Sequence, residues 1–466
     1  MNRPIFDPRR HSTAQQNPEL ALVRASLKPP AHLLPVTGLA YACMLPRDLT
    51  FEIAEISFSP IRLIVLLMVP ALLVLLNRQP IRLSRLDLVL LFVVVWHGIA
   101  SYVMDGVPRV FSRGLAISIE MLLIYLCGRV GFKTHQDFQR FLILLLPGIV
   151  LVGSLLFLEA VSHRPIARPF LASVSGAPDP VVMTDTRLGL MRASGPFSHP
   201  ILAGVFFASL VPLYWAAMSA LPRLRVTGIT AASAGLFTLS SGPILAYLLG
   251  AAAMVALVLQ RLSRVPLLLL SAFASAFLLI VLQFGTESGA VKFVVRYLTL
   301  SPGSGQYRER IWEYGSIEVM NNVWFGTGDR DWVRPIWMVQ DTIDAYWLYE
   351  AMKFGLPASL GMLVLAIGAI FALGRSSFLL PPSPARNMHI GIAITLGMLI
   401  FSGFTVHLWE GPAALFILLL GAAVSLTHAS RVRFAHLRTK ARDEARTAPH
   451  RPHATKPKAA FHRQAP

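Results

Sequence analysis

Residues 141–158 read FLILLLPGIVLVGSLLFL, a stretch of 18 residues without a charged side chain. A helix needs about 20 apolar residues to cross the hydrocarbon core of a membrane, so this stretch predicts a transmembrane helix. Similar apolar stretches recur along the chain. The sequence therefore predicts an all-α polytopic helical bundle with about twelve transmembrane helices, at 31–46, 60–76, 86–104, 114–130, 139–160, 199–219, 226–240, 243–260, 265–284, 345–373, 388–407 and 411–428.

The composition of the whole chain agrees with this class. Of the 466 residues, 55% are hydrophobic and only 14% are charged, whereas about 25% are charged in an ordinary soluble domain. The formal net charge is nevertheless +18. So apolar a chain is neither a soluble nucleic-acid-binding protein nor a disordered one. Two cysteines, Cys43 and Cys127, exclude a disulfide scaffold and a cysteine-based zinc site.

The basic residues are concentrated on one side of the predicted bundle. With the predicted spans alternating, that side holds 27 of the 42 Lys and Arg residues but only six of the 24 Asp and Glu residues, about +21 against about −3 elsewhere. Because cytoplasmic loops carry the excess of Lys and Arg, this side is predicted to be cytoplasmic, together with both termini. We expect residues 1–30 and 431–466 to be disordered basic tails flanking a transmembrane domain at 31–430. Attraction to anionic membrane lipid is the expected role of the tails.

Two long loops are predicted on the opposite side, at 161–198 and 285–344. Connections of this length are uncommon and are often functional. The first ends with Arg187, Arg192 and His199, and the second carries Arg308 and Arg310 on a predicted helix at 306–322. Further candidate side chains are Trp312 in the second loop and Asp344 and Tyr346 at the start of the tenth span.

These residue types suit a phosphate-bearing sugar ligand, although each has a plainer interpretation. A planar guanidinium with several N–H groups matches phosphate geometry, but loop arginines often form ordinary ion pairs with nearby acids. Aromatic rings such as Trp312 and Tyr346 can stack on sugars or belong to an interfacial belt. His199 could simply be a polar group at a helix end. His97 is interpreted as a packing residue, and Glu350 and Lys353 as an i, i+3 pair on one helix.

The order of these motifs carries a family resemblance. An Arg-x-x-Gly-Pro-Phe-x-x-Pro segment at 192–200 enters a span, and a long outer loop follows. That loop contains Arg308-x-x-x-Trp312, a Gly-x-Gly turn at 326–328 and an acidic position, Asp344, eleven residues before Gly355. Over residues 185–360 the chain resembles the bacterial O-antigen ligase and polysaccharide polymerase superfamily. Many ligases have a His-Asn pair where this chain has Asp344-Ala345, and exopolysaccharide polymerases look more similar.

The resemblance implies a fold, a location and a reaction. The fold would be a GT-C-like glycosyltransferase architecture in the bacterial inner membrane, with periplasmic loops at 161–198 and 285–344. The donor would be a glycan on undecaprenyl diphosphate and the acceptor another glycan or lipid-linked glycan, with no metal, cofactor or nucleic acid involved. Arg192 and Arg308 would bind the diphosphate with support from Arg187 and Arg310, and Asp344 or His199 would orient or deprotonate the acceptor hydroxyl.

Other functions stay open at this point. An O-antigen ligase differs from a polymerase only in transferring the glycan to lipid A core. A lipid-linked glycan transporter or flippase would also fit twelve spans with both termini inside, although transporter sites usually lie near the membrane midplane. A non-catalytic component of a membrane assembly complex is a third class.

Overall fold

The computed structural model describes residues 18–53, 56–78, 81–107, 114–178, 180, 182, 184–263, 302–338 and 342–447. The described residues form a helical bundle with two small β-hairpins. The helices are α1 Pro18–Ser26, α2 Leu34–Ala42, α3 Pro60–Leu67, α4 Val69–Arg78, α5 Arg85–Asp105, α6 Leu115–Gly131, α7 His135–Ser162, α8 Ala167–Ser175, α9 Pro200–Ala217, α10 Pro222–Ser233, α11 Ser241–Ser263, α12 Pro302–Asn321, α13 Tyr346–Phe354, α14 Leu356–Leu379, α15 Pro384–Ser402 and α16 Glu410–Thr447. The antiparallel strand pairs are β1 Phe51–Ile53 with β2 Ile56–Phe58, and β3 Thr186–Arg187 with β4 Leu190–Met191.

The chain is a helical membrane protein, as predicted. Within the described ranges, seven helices are long and apolar enough to cross a membrane: α5, α7, α9, α11, α14, α15 and the Glu410–Val432 part of α16. Helices α3 and α4 pass the same test together, with a bend of 42° between them, and could form an eighth span. Pro70 at the start of α4 lacks an N–H group, which accounts for a break in the helix ladder at this position.

Other predicted spans correspond to shorter elements or are not described. The stretch at 31–46 forms a 3₁₀ turn at Ala31–Leu33 and then the nine-residue helix α2, and the stretch at 114–130 forms most of the 17-residue helix α6. The stretch at 226–240 forms most of α10 and then tightens into a 3₁₀ helix at Ala234–Thr238. The predicted span 265–284 lies outside the described residues. The described part of the chain therefore shows seven or eight candidate spans, and the total of about twelve stays a prediction.

The predicted tenth span, 345–373, is two helices that meet at Gly355. Gly355 has a φ of 86°, and a Cβ atom there would lie 1.9 Å from the carbonyl oxygen of Trp324. The next residue, Leu356, donates its N–H to the carbonyl of Val323 at 2.7 Å. The end of the second long loop thus packs against the backbone at the break, which only glycine permits. The membrane-crossing part is α14, and α13 is a separate short helix.

Both predicted tails contain helix, which corrects the expectation of disorder for their described parts. Helix α1 lies within the 1–30 segment, and the carboxylate of Glu19 accepts the backbone N–H of Arg223 at 3.0 Å. At the other end, α16 continues to Thr447. Residues 431–447 contain no glycine or proline, so the helix continues beyond the apolar part without a residue that would end it. Residues 1–17 and 448–466 lie outside the described residues.

Helix α9 lies at the centre of the bundle and is buried along most of its length. It is apolar all round and packs against α10, α11 and α15, as expected of a helix surrounded by other helices. Helices α6 and α16 approach closely through Gly128 and Gly421, where a Cβ atom would lie 2.3 Å and 2.2 Å from backbone oxygens of the other helix. Small residues commonly allow such contacts in membranes. We call the end of the bundle where α9 begins the loop end, and the opposite end the basic end.

Candidate functional site

A tight β-hairpin presents the arginines of the first long loop. Leu188 and Gly189 connect β3 to β4 with φ values of 53° and 77°, the geometry of a two-residue hairpin turn that favours glycine. The N–H of Arg192 then donates to the carbonyl of Asp185 at 3.0 Å. The hairpin thereby brings Arg187 and Arg192 to the same part of the loop end.

The buried carboxylate of Glu159 holds the segment that follows the hairpin. One oxygen accepts the N–H groups of Ile166 and Ala167 at 2.9 and 3.0 Å, and the other accepts those of Ser194 and Gly195 at 3.2 and 2.8 Å. Charge-assisted hydrogen bonds of this kind are stronger than neutral ones. Glu159 therefore fixes both ends of the first loop to the end of α7.

Arg192 is buried and anchored in two directions. Its side chain contacts Asp185 at 2.7 Å and donates to the hydroxyl of Ser240 at 2.9 Å. Arg187 donates to the carbonyl of Leu239 at 3.2 Å. Both arginines are thus held against the connection between α10 and α11, and their guanidinium groups are already oriented.

Arg308, from the second long loop, lies next to Asp344. The Nε atom of Arg308 is 3.9 Å from Oδ2 of Asp344, which is close enough for charge attraction but too long for a hydrogen bond. Arg308 is only 5% exposed, and its Nε has no hydrogen-bond partner among the described residues. The Asp344 side chain stays 42% exposed. A buried guanidinium with an unmet N–H group beside an accessible carboxylate is the arrangement expected of a ligand site.

The three arginines act on one another electrostatically. Burial lowers the pKa of Arg308; Asp344 opposes that shift, whereas Arg187 and Arg192 add to it. Burial and then Arg192 lower the pKa of Arg187, against the effect of Asp185. We call these five residues, Arg187, Arg192, Arg308, Asp185 and Asp344, the arginine cluster. Three cations and two carboxylates give the cluster an excess of one positive charge, which favours the binding of an anion.

His199 caps α9 beside the arginine cluster. Its Nδ1 accepts the N–H of Ile201 at 3.0 Å, so we assign the proton of the neutral ring to Nε2. Burial, followed by the nearby Arg192 and Arg308, lowers the pKa of His199 to about 4, and Asp185 only partly opposes this. A neutral imidazole protonated at Nε2 donates a hydrogen bond. The geometry therefore suits orientation of a substrate oxygen rather than removal of its proton.

The pKa of Asp344 is shifted upwards, whereas that of His199 is shifted downwards. Partial desolvation raises the pKa of its carboxyl group, and Arg308 counteracts part of that shift. A carboxylate with a raised pKa is a better proton acceptor than an ordinary one. Of the two candidate bases, the geometry therefore favours Asp344.

Arg310 and Trp312 are not directed into the cluster. Arg310 lies two residues after Arg308, on the far face of α12, where it is 52% exposed and pairs with Glu313 at 2.6 Å. Trp312 donates from its ring nitrogen to the carbonyl of Phe404 at 3.0 Å and stacks on the Phe404 ring. The structure gives Arg310 a surface ion pair and Trp312 a packing role between α12 and the α15–α16 connection.

Tyr346 lines a different space at the loop end. It is 5% exposed and borders a cavity of about 260 Å³ between α13, α16 and the segment that leads into α3. Charged and polar side chains also line this cavity: Arg47, Arg62, Glu120, Glu350, His407 and Glu410. Arg62 pairs with Glu120 at 3.0 Å. We call it the loop-end cavity; its described lining contains no member of the arginine cluster.

Glu350 meets a histidine from another helix. His97 Nε2 on α5 lies 3.1 Å from Glu350 Oε2, with both side chains buried, and the His97 ring stacks on Phe354. The distance is short, but the atoms are not aligned as a hydrogen bond. This contact gives His97 an ionisable neighbour, and Lys353 donates to the carbonyl of Arg330 at 3.0 Å. Nothing in the local sequence of α5 indicates the pairing, because the partners are distant in the chain.

The Gly-x-Gly turn proves to be an anchoring element. Thr327 and Gly328 donate their N–H groups to the carbonyls of Met352 and Lys353 at 2.7 and 3.2 Å. Asp105, at the end of α5, accepts the N–H of Asp329 at 2.9 Å. The turn thus fixes the second loop to α5 and α13 rather than contacting a ligand through the cluster.

Among the described residues, no group of three His, Cys, Asp or Glu side chains is placed to hold a metal ion. No family model matches the chain, and no curated protein sequence is significantly similar to it.

Proposed function

We propose that the protein is a membrane glycosyltransferase that uses a glycan carried on undecaprenyl diphosphate, and that it extends a polysaccharide chain as an exopolysaccharide or O-antigen polymerase. The observation that carries the proposal is the arginine cluster. Arg187 and Arg192 come from one long loop and Arg308 from the other, yet they lie within electrostatic range of each other. The resemblance of residues 185–360 to the O-antigen ligase and polymerase superfamily supports the same function.

The charge arrangement suits a diphosphate leaving group. Transfer breaks the bond between the anomeric carbon and a phosphate oxygen, and that oxygen keeps the electron pair. Guanidinium groups that are already oriented stabilise such developing charge without having to reorganise. Arg192 is held by Asp185 and Ser240, and Arg308 keeps an unmet Nε–H group, so both are suited to this task.

Asp344 and His199 have distinct proposed roles. The acceptor hydroxyl forms the new bond to the anomeric carbon as its proton passes to the Asp344 carboxylate. His199 donates from Nε2 and orients a substrate oxygen. Arg187 supports the cluster electrostatically. The roles expected for Arg310, Trp312 and Tyr346 from sequence have no support in their contacts, so we leave them out of the proposed mechanism.

The remaining parts of the proposal concern location and architecture. We infer a bacterial inner-membrane protein of GT-C-like architecture with about twelve spans, both termini in the cytoplasm, and the arginine cluster on the periplasmic face. The distribution of Lys and Arg along the chain supports this orientation.

The direct test uses the purified full chain in liposomes, with a lipid-linked glycan on the loop-end side and no ion gradient. Lengthening of the glycan on the carrier lipid supports a polymerase, and transfer to lipid A core supports a ligase. An Arg308→Lys variant should lose about 100-fold or more in rate. Lysine keeps the positive charge but lacks the planar guanidinium that can donate two hydrogen bonds to one phosphate. Arg310→Lys, on the exposed face of the same helix, is the matched control. Equal rates for both variants would exclude the proposed role of Arg308.

One observation favours a second candidate, a transporter or flippase of lipid-linked glycan. His97 and Glu350 form a buried ionisable pair within the bundle, and intramembrane ionisable groups often mark transport pathways. In the same liposomes, relocation of the lipid across the bilayer without any lengthening would favour this candidate.

A further inference from the structure

A large pocket opens at the basic end of the bundle, opposite the loop end that carries the arginine cluster. Its volume is about 970 Å³, within the range of small-molecule sites. Residues from several separate segments line it, among them Arg82 before α5, Lys133 between α6 and α7, His389 on α15 and His428 on α16. We call it the basic-end pocket. Nothing in the proposed glycosyl transfer requires it.

The pocket is positively charged, and the nearby acids are already engaged. No Asp or Glu occurs among its described lining residues. Asp87, the closest carboxylate to Arg82 in sequence, is held by Arg129 at 2.9 and 3.0 Å and by the Tyr125 hydroxyl at 2.7 Å. Asp137 is occupied by the backbone and hydroxyl of Thr134, each at 2.9 Å.

The cations of the pocket are accordingly left without a strong partner. Neither Arg82 nor Lys133 forms an ion pair within the described part of the chain. Burial lowers the pKa of Lys133, and Asp137 only partly opposes that shift. A partly desolvated ammonium group gains from an anion placed beside it. An anionic ligand would therefore stabilise the charges that the fold brings together here.

A buried histidine supplies a second, independent sign of a missing ligand. His389 is 1% exposed, and its Nδ1 has no hydrogen-bond partner among the described residues. Its Nε2 lies 3.4 Å from the hydroxyl of Ser430. We assign Nε2 as the acceptor from Ser430, so Nδ1 carries a proton with no acceptor. Buried polar groups of this kind are nearly always satisfied, and a phosphate oxygen in the pocket would satisfy this one.

The pocket lies at the level where the apolar part of the bundle would meet the membrane surface. Met388 and Leu426 line its inner part, whereas Thr439 lies on the continuation of α16 beyond the apolar part that ends at Val432. Seven residues of helix cover about 10 Å, so the wall extends from the bundle into the headgroup region. Basic pockets between transmembrane helices on this side commonly bind phosphate-bearing headgroups.

We propose that the basic-end pocket binds a phosphate group through Arg82, Lys133 and His389. The phosphate can come from the headgroup of an anionic phospholipid or from a soluble phosphate compound, and the dimensions of the pocket suit a glycerophosphate headgroup. The bound phosphate joins the connection between α6 and α7 to α15 and α16. The site is separate from the proposed glycosyl transfer and does not depend on it.

The test measures ligand binding by the full chain rather than its activity. Native mass spectrometry in detergent micelles would count bound phosphatidylglycerol, with phosphatidylcholine as the uncharged comparison. A second arm would follow thermal unfolding in increasing inorganic phosphate. The Arg82→Ala/Lys133→Ala variant should bind phosphatidylglycerol about 25-fold more weakly, at about fivefold for each cation removed. Arg375→Ala, an exposed cation at the same end outside the pocket lining, is the matched control and should bind like wild type.

Each outcome bears on the proposal. Selective loss in the pocket variant supports a lipid headgroup, and stabilisation by inorganic phosphate alone, abolished by the same variant, supports a soluble ligand. Equal binding by wild type and the pocket variant, or an equal loss in Arg375→Ala, overturns the proposal. If the double variant fails to fold, His389→Gln serves instead, and wild-type binding by that variant would overturn the role of His389.

Discussion

Glu159 accepts the backbone N–H of Gly195 at 2.8 Å, which joins the end of α7 to the segment that leads from the arginine hairpin into α9. The same carboxylate takes three further N–H groups, from Ile166, Ala167 and Ser194. Arg192 and His199 lie on either side of this attachment. Their positions therefore depend on a residue that contacts no proposed substrate.

Replacing Glu159 should disturb the site through the backbone. In Glu159→Gln one acceptor oxygen becomes an NH₂ group that faces backbone donors, so we expect a loss of about 2–3 kcal/mol in unfolding free energy. Thermal unfolding in detergent would measure this, and glycan lengthening should fall with it. Ser154→Ala, on an exposed face of the same helix, should change neither quantity. Unaltered stability and activity in Glu159→Gln would show that the carboxylate does not position the loop.

His199 should make stability depend on pH. Its pKa in the folded protein is about 4, below the ordinary 6.5, so the unfolded state binds more protons between these values. The contribution of neutral His199 to the free energy of unfolding is therefore complete above pH 6.5 and is lost as the pH falls towards 4.

The variant His199→Asn isolates that contribution, since asparagine is also a good helix N-cap. At pH 7.5 the two proteins should have similar stability. At pH 5 wild type should lose about 1–2 kcal/mol relative to the variant. His407, whose pKa burial also lowers to about 4, is unchanged in both proteins and cancels in the comparison. A difference between the two proteins that stays constant from pH 7.5 to 5 would contradict the assignment of a neutral His199.

Gly355 should tolerate no side chain. Its φ is 86°, and a Cβ atom at this position would lie 1.9 Å from the carbonyl oxygen of Trp324, so alanine must separate α13 from the second loop. We expect Gly355→Ala to destabilise the protein by about 3 kcal/mol or more, combining backbone strain and lost contacts. Gly374→Ala is the control, because a Cβ at this position within α14 meets nothing within 4 Å. Equal unfolding temperatures for the two variants would mean that the break at Gly355 is not fixed by this contact.

The sequence predicts the features of the fold that one continuous stretch determines. It does not predict the features that depend on contacts between residues distant in the chain. Long apolar runs such as 141–158 identified the membrane class, because length and hydropathy alone define a span. The break at Gly355 was missed because glycine inside an apolar run resembles any helical glycine. Its cause is the carbonyl of Trp324, which only the folded chain brings near.

The same distinction applies to the site. The family resemblance implies that Arg192, Arg308 and Asp344 act at one site, and Arg308 lies within electrostatic range of the other two, while their roles stay predictions. Arg310 could have been separated from them in advance, since it lies two residues from Arg308 on a helix and three from Glu313. The basic-end pocket had no comparable local signal, because Arg82, Lys133 and His389 come from separate connections and helices.

The His97–Glu350 contact provides a test of how the bundle interior is held together. Removing one member leaves the other buried without its ionisable neighbour, so His97→Leu and Glu350→Leu should each cost about 3–5 kcal/mol. The double variant buries two apolar side chains instead and should cost at least about 1 kcal/mol less than the sum of the single changes. Thermal or denaturant unfolding of the four proteins completes the cycle. Additive losses would show that the two side chains, although 3.1 Å apart, do not stabilise each other.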